Sequence, residues 1–203
     1  MSRKVRPALA LALVALVLPA AVPAEAPVAA PHPAWAEPLP GGEGLPNLYR
    51  VSPGLLRGAQ PAAEGFATLG ELGVRTVINL RPGRHENAAC ERNGLRYVEI
   101  PMRPWSFDEQ DVVRFLEVVA SAGHAPIFVH CRRGADRTGM LVAVYRVAIE
   151  GWSKEDALEE MTRGPYGYNP AWKELVRFVE EMDVARLRRA AGLDAAAGDG
   201  SRP

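Results

Sequence analysis

The chain has 203 residues, 48% of them hydrophobic and 24% charged, and its 24 Lys and Arg balance 24 Asp and Glu. This is the composition of one soluble domain with a core of its own, and it offers no excess of positive charge for nucleic acid or an anionic membrane surface to recognise. Only Cys90 and Cys131 occur, which excludes a disulfide framework and allows one bridge at most.

At the N-terminus Arg3, Lys4 and Arg6 precede an unbroken apolar run from Ala8 to Leu18, followed by Pro19 and small residues through Val22-Pro23-Ala24. That is the layout of a secretory signal peptide, residues 1–24, with cleavage after Ala24. The run is short for a bilayer, so a transmembrane helix is the weaker alternative, and an uncleaved anchor is the other reading. Cleavage would leave 21 basic against 24 acidic residues, a net charge of −3, and an exported protein, periplasmic or extracellular. Residues 25–46 are crowded with Pro, Ala and Gly and read as a linker. The folded domain is expected over 47–191, with a frayed tail from 192 to 203.

Within the domain, "NLYRVSPGLLRGAQP" predicts two short strands about the Pro53-Gly54 turn, and Pro61 suits the first turn of a helix that stops at Gly73. "VRTVINL" (74–80) and "RYVEI" (96–100) read as strands. Ser106 followed by Glu109 has capping-box spacing, and Val112, Leu116 and Val119 place a helix from about Asp108 to Ser121 behind it. "PIFVH" (126–130) is another apolar strand. A nearly all-apolar helix follows from Thr138 to Ile149, then one started by Ser153 and a last one by Asn169-Pro170. Strands alternating with helices predict an α/β fold with a mostly parallel central sheet of about four to five strands flanked by helices.

The stretch "HCRRGADRTG" (130–139) then lies between a central strand and the N-terminus of a buried helix, at the carboxyl edge of the sheet, where open α/β sheets hold ligands. A helix N-terminus offers unpaired N–H groups and positive potential, and a glycine-containing loop before it can fold those donors around an anion. Arg137 can add a planar fork to two phosphate oxygens. Cys131 sits at the mouth of this cradle, in a setting that favours the thiolate. A strand-end thiolate over a phosphate cradle is a nucleophile aimed at phosphorus, and the reaction divides into attack by sulfur and hydrolysis of the phosphocysteine by water. Backbone donors and Arg137 supply the charge stabilisation, so neither metal nor cofactor is expected. The phosphate-binding stretch is Arg132, Arg133, Gly134, Ala135, Asp136 and Arg137.

His130-Cys131, five residues, Arg137 and Thr138 resemble the H-C-x5-R-[S/T] signature of the cysteine-dependent phosphatase superfamily, which includes protein tyrosine and dual-specificity phosphatases. "LLRGAQP", "VINLRP" and the flanking strand and helix extend the resemblance to small bacterial dual-specificity-type enzymes over roughly 48–182. The resemblance implies Cys131 as nucleophile, Arg137 as phosphoryl ligand, His130 as a residue that orients the loop, and Thr138 as support for the departing thiolate. It implies Gly134 and Gly139 as the residues that permit the tight backbone.

A leaving alkoxide or phenoxide needs a proton, normally from a carboxyl group. Asp108 lies about where the family carries its acid-bearing loop, but the first turn of a helix attracts acids for local reasons. Asp136 stands inside the loop beside Arg137, as in phosphoinositide phosphatases of the myotubularin and Sac types, and is the favoured acid; Asp108 is the alternative. Arg132 and Arg133 are either solvated or select a substrate with more than one phosphate, such as an inositol phosphate or a phospholipid headgroup. Arg81 is a candidate for the pocket rim. "YGYNP" and Trp172 read as turn and packing residues, with a substrate groove as the other reading. Cys90 reads as a small buried apolar residue rather than a bridge partner of Cys131. His32, His85, His124 and His130 are scattered without metal-ligand spacing. The competing functions are a rhodanese-like sulfurtransferase and a catalytically silent phosphate-binding module.

Overall fold

Neighbouring residues of the central strands serve opposite faces. Leu55, Ile78, Ile127 and Val129 pack into one apolar cluster, while Leu56, Val77 and Phe128 pack into another. Strands with both faces covered require continuous apolar runs, which "IFV" is and "VINL" is apart from Asn79, whose buried side chain accepts from the Arg81 N–H. The computed structural model describes residues 35–83, 85–121 and 123–194. The expected signal peptide, residues 25–34 of the expected linker and residues 195–203 lie outside them.

The strands are β1 (Glu37–Pro38), β2 (Tyr49–Ser52), β3 (Leu55–Gly58), β4 (Thr76–Asn79), β5 (Arg96–Glu99) and β6 (Ile127–His130). They form one six-stranded sheet in the order β1-β2-β3-β6-β4-β5, in which β3, β6, β4 and β5 run parallel and β1 and β2 antiparallel. The helices are α1 (Gly65–Glu71), α2 (Asn87–Arg92), α3 (Glu109–Ala120), α4 (Asp136–Ala148), α5 (Lys154–Arg163), α6 (Lys173–Glu181) and α7 (Val184–Ala190). Phe66 and Leu69 of α1 and Cys90 of α2 cover one face, with Leu45 and Leu48 ahead of β2. On the other face α4 is surrounded by α3, α5, α6 and α7, which explains why its residues are apolar on all sides.

The expected class is present, with one strand more than the upper expectation. The extra strand comes from the segment read as a linker: β1 pairs with β2, Ala36 and Leu45 are buried, and the Ala36 N–H donates to Glu160 Oε1 at 2.8 Å. Residues 36–46 therefore belong to the domain, because a two-residue strand held by distant partners needs no apolar pattern of its own. The capping box of α3 also shifts. Asp108 is the N-cap and its N–H donates to Asp111 Oδ2 at 3.0 Å, whereas Ser106 closes a turn with Arg103. Ser153 caps α5 as read, accepting from the Asp156 N–H at 3.0 Å. The helix expected at Asn169-Pro170 begins at Lys173 and is not the last, since α7 follows it; residues 192–194 of the expected tail close α7, with Asp194 pairing with Arg188. No helix among the described residues is long and apolar enough to cross a membrane.

Candidate active site

Strand β6 delivers His130 to the carboxyl edge of the sheet, and α4 begins six residues later at Asp136. The loop between them is held from behind. Arg132 O accepts from the Gln60 N–H at 3.4 Å, and Arg133 O from Asn47 Nδ2 at 2.8 Å. Gly134 O accepts from Arg57 Nη2 at 2.9 Å, and Ala135 O from the same nitrogen at 3.5 Å and from the Gly139 N–H at 2.8 Å. A trans peptide carries its C=O and N–H on opposite sides. Four tethered carbonyls thus turn the N–H groups of Arg133, Gly134, Ala135 and Asp136 the other way, forming a bowl of donors.

Gly134 has φ +70, and a Cβ there would overlap the backbone of Gly58 at the end of β3. Only glycine meets both conditions. Gly139 lies in the first turn of α4, where a Cβ would sit slightly close to the Met161 side chain and in ordinary contact with the Arg57 guanidinium.

The bowl opens into a cleft of about 710 Å³. Cys131 lies at its floor, 1% exposed and packed into the core. Arg137 also lines the cleft; its Nη1 donates to Met102 O at 3.0 Å and Leu80 O at 3.3 Å, the chain segments that leave β5 and β4. Its Nε is buried without a hydrogen-bond partner, as is the hydroxyl of Thr138. Buried donors left in this state mark a site built for something else to accept from them.

Asp136 is buried at the cleft wall. Its Oδ1 accepts from the Asn169 N–H at 2.8 Å, and Oδ2 lies 3.4 Å from Arg133 Nη2. Asp108 is exposed at the N-cap of α3 and does not line the cleft. Exposed Arg132 and Arg133 do line it, together with exposed Arg103, which the sequence does not single out. The rim after β4 is Pro82 rather than Arg81, whose N–H donates to Asn79 Oδ1 at 2.8 Å. Trp105 and Trp172 stand at the mouth with ring centroids 5.6 Å apart, and Trp105 is 59% exposed. In "YGYNP", Asn169 faces the cleft while Tyr166 is buried behind the loop.

Behind the bowl lie residues that no local pattern announces. His130 is fully buried, with Nδ1 3.4 Å from Cys131 O and Nε2 2.9 Å from Glu86 Oε2. Glu86 in turn accepts from Gln60 Nε2 at 2.6 Å. Arg57 is fully buried, and its guanidinium lies 3.7 Å from the centre of the Tyr166 ring, whose hydroxyl donates to Glu160 at 3.0 Å. Burial pushes Arg57 below the usual arginine range, against the opposing influence of Tyr166, Glu160 and the Cys131 sulfur.

The two cysteines are free and differ in kind. Cys90 belongs to the opposite apolar cluster, and burial, aided by the charge of Glu86, pushes its thiol up to about 12, which keeps it an inert packing group. Among the described residues no cluster of three or more His, Cys, Asp or Glu is arranged to hold a metal ion.

Residues 49–170 match the family described as "DSP-PTPase phosphatase fused to NAD+ Kinase". The chain is 36% identical over 164 residues to the dual specificity protein phosphatase TpbA of Pseudomonas aeruginosa strain UCBPP-PA14, covering 80% of this chain and 73% of that protein. It is 28% identical over 153 residues to the inositol diphosphatase DSP5 of Arabidopsis thaliana, covering 71% and 73%. Among solved structures, a cysteine-to-serine variant of P. aeruginosa TpbA in complex with pTyr superposes with a TM-score of 0.71 at 32% identity, over 80% of this chain and 99% of that one. The core catalytic domain of the PP-IP phosphatase SIW14 of S. cerevisiae gives 0.65 at 25% identity, over 73% and 93%. With the loop, its strand and its helix in place, the chain belongs to the dual-specificity branch of the cysteine-dependent phosphatases and is an enzyme of that class.

Proposed function

We propose that Cys131 is the nucleophile of a phosphomonoester hydrolase in which the amides of 133–136 and Arg137 hold the transferring phosphoryl group. The single observation that carries this assignment is the set of rear-tethered carbonyls, which leaves the N–H groups converging where Cys131 and the unpartnered Arg137 Nε lie. Sulfur attacks phosphorus, the P–O bond to the leaving group breaks, and Asp136 gives that oxygen its proton. Water then attacks the phosphocysteine, Asp136 takes a proton from it, and the P–S bond breaks to release phosphate. Asp136 lines the cleft, with one oxygen fixed by the Asn169 N–H and the other beside the exposed Arg133 guanidinium, which supports it over the exposed Asp108 outside the cleft lining. His130 holds the Cys131 carbonyl side of the loop, and the Thr138 hydroxyl supports the departing thiolate.

The Asp136→Asn variant is expected to lose about 10²–10⁴-fold in turnover of alkyl phosphates and much less on p-nitrophenyl phosphate, whose leaving group needs no proton. Asp108→Asn is expected to resemble the wild type on both. Equal losses on good and poor leaving groups, or the larger loss in Asp108→Asn, would remove Asp136 from this role. All assays are run with chelator present; activity that depends on added metal contradicts the mechanism.

Exposed Arg103, Arg132 and Arg133 around the cleft support a substrate carrying more than one phosphate, a reading strengthened by the likeness to inositol diphosphatases. The Trp105–Trp172 pair at the mouth favours a second reading, the aromatic side chain of phosphotyrosine. Phosphate release from an inositol polyphosphate and from a phosphotyrosine peptide, compared between wild type and Arg132→Ala/Arg133→Ala, separates the two. The first substrate should suffer selectively if charge decides.

Export is part of the proposal, supported by the basic, apolar and small-residue order of residues 1–24. The mature protein is expected in the extracytoplasmic fraction with Glu25 as its first residue by mass spectrometry. A cytoplasmic protein retaining Met1 would reject it.

A further inference from the structure

Asn47 and Arg57 do not line the cleft, yet they contact three of the four tethered carbonyls. Asn47 stands at φ +56 ahead of β2, with its amide shared between Arg133 O and Tyr166 O at 2.8 and 3.0 Å. Arg57 is a fully buried cation on β3 with no carboxylate among the described residues in direct contact; its hydrogen-bonded partners are the loop carbonyls, and its face rests on Tyr166. Holding a guanidinium without a paired carboxylate out of water is costly, as is converging several N–H dipoles on one point. Both costs are tolerated where the arrangement is needed for an anion.

We propose that Asn47 and Arg57 are positioning residues that set the phosphoryl affinity of the site by holding the loop peptides with their N–H groups turned toward the cleft. The inference rests on the phosphoryl-binding reading of the loop and extends it to two side chains that never meet the substrate. Losing either tether frees a peptide plane to rotate, so that a carbonyl oxygen replaces an N–H in the bowl. Retaining the charge is not enough, because a lysine lacks the planar group that rests on the Tyr166 ring and so fixes Nη2 against Gly134 O and Ala135 O.

Tungstate binding to the whole chain, followed by calorimetry alongside thermal melting, tests this without relying on turnover. Asn47→Gly is the informative variant, since glycine accepts φ +56 and only the amide donor is lost. Tungstate affinity is expected to fall roughly tenfold in Asn47→Gly, and further in Arg57→Lys. Unchanged tungstate affinity in a folded Asn47→Gly protein, whatever its melting temperature, would mean a merely structural role and overturn the inference. If Arg57→Lys does not fold, Asn47→Gly decides alone. A wild-type chain that binds no tungstate overturns the inference together with the phosphoryl-binding reading beneath it, whereas binding by the wild type with equal binding by Asn47→Gly overturns the inference alone.

Discussion

Replacing Cys131 by serine is expected to abolish phosphate release, by on the order of 10⁴-fold or more, while leaving anion binding in place. The reason is chemical rather than structural. A hydroxyl at the same position has nearly the same shape but is a far poorer nucleophile without a base to take its proton, and the carboxyl group beside it, Asp136, is assigned to the leaving group. The bowl itself is made of backbone held by Gln60, Asn47, Arg57 and Gly139, none of which contacts the sulfur through these bonds. Cys131→Ser should therefore melt close to the wild type and still bind tungstate. Intact turnover without the sulfur would end the phosphocysteine mechanism for this chain. The companion Cys90→Ser change should leave turnover unaltered, since Cys90 packs on the other side of the sheet.

The Gly134→Ala variant is expected to lose both stability and activity. Its backbone would have to adopt φ +70 with a Cβ, and that Cβ would overlap the carbonyl group of Gly58 on the adjacent strand. Backbone against backbone gives little room for adjustment, so the loop must swing away from β3 and release the Gly134 carbonyl from Arg57. A cost of about 3 kcal/mol or more follows from strain and overpacking together. Turnover should fall by at least about 10²-fold in whatever protein remains folded, because more than one oxyanion donor is misdirected. Denaturant melts and phosphatase assays on the same preparation check both parts. A Gly134→Ala enzyme with wild-type turnover would show that the bowl is not the catalytic conformation. Gly139→Ala, by contrast, meets only the Met161 side chain and the Arg57 guanidinium at ordinary or slightly close distance. Its effect should be smaller.

The features legible in the sequence are local in origin. Three apolar residues, Ile127-Phe128-Val129, lead into His130, a glycine turns the chain within the next four, and an apolar helix starts at once, so the strand, the loop and the helix N-terminus are all encoded locally. The Pro53-Gly54 hairpin and the Ser153 cap are legible for the same reason. The short α2 escaped because only Cys90 among its six residues is buried, which leaves no periodicity to read. The two-residue β1 escaped because it is held by Arg50, Tyr49 and Glu160 rather than by its own pattern.

Only the tertiary structure decided which residues stand behind the loop. Asn47 reaches Arg133 across 86 positions, Arg57 reaches Gly134 across 77, and Glu86 meets His130 at 2.9 Å although it belongs to an ordinary-looking charged stretch. Tertiary packing likewise puts Asp136 in the cleft lining and Asp108 at an exposed helix cap. The physical reason is the strand order. Inserting β6 between β3 and β4 brings the ends of three strands together at one edge, and no property of any single segment specifies which strand its neighbour will be.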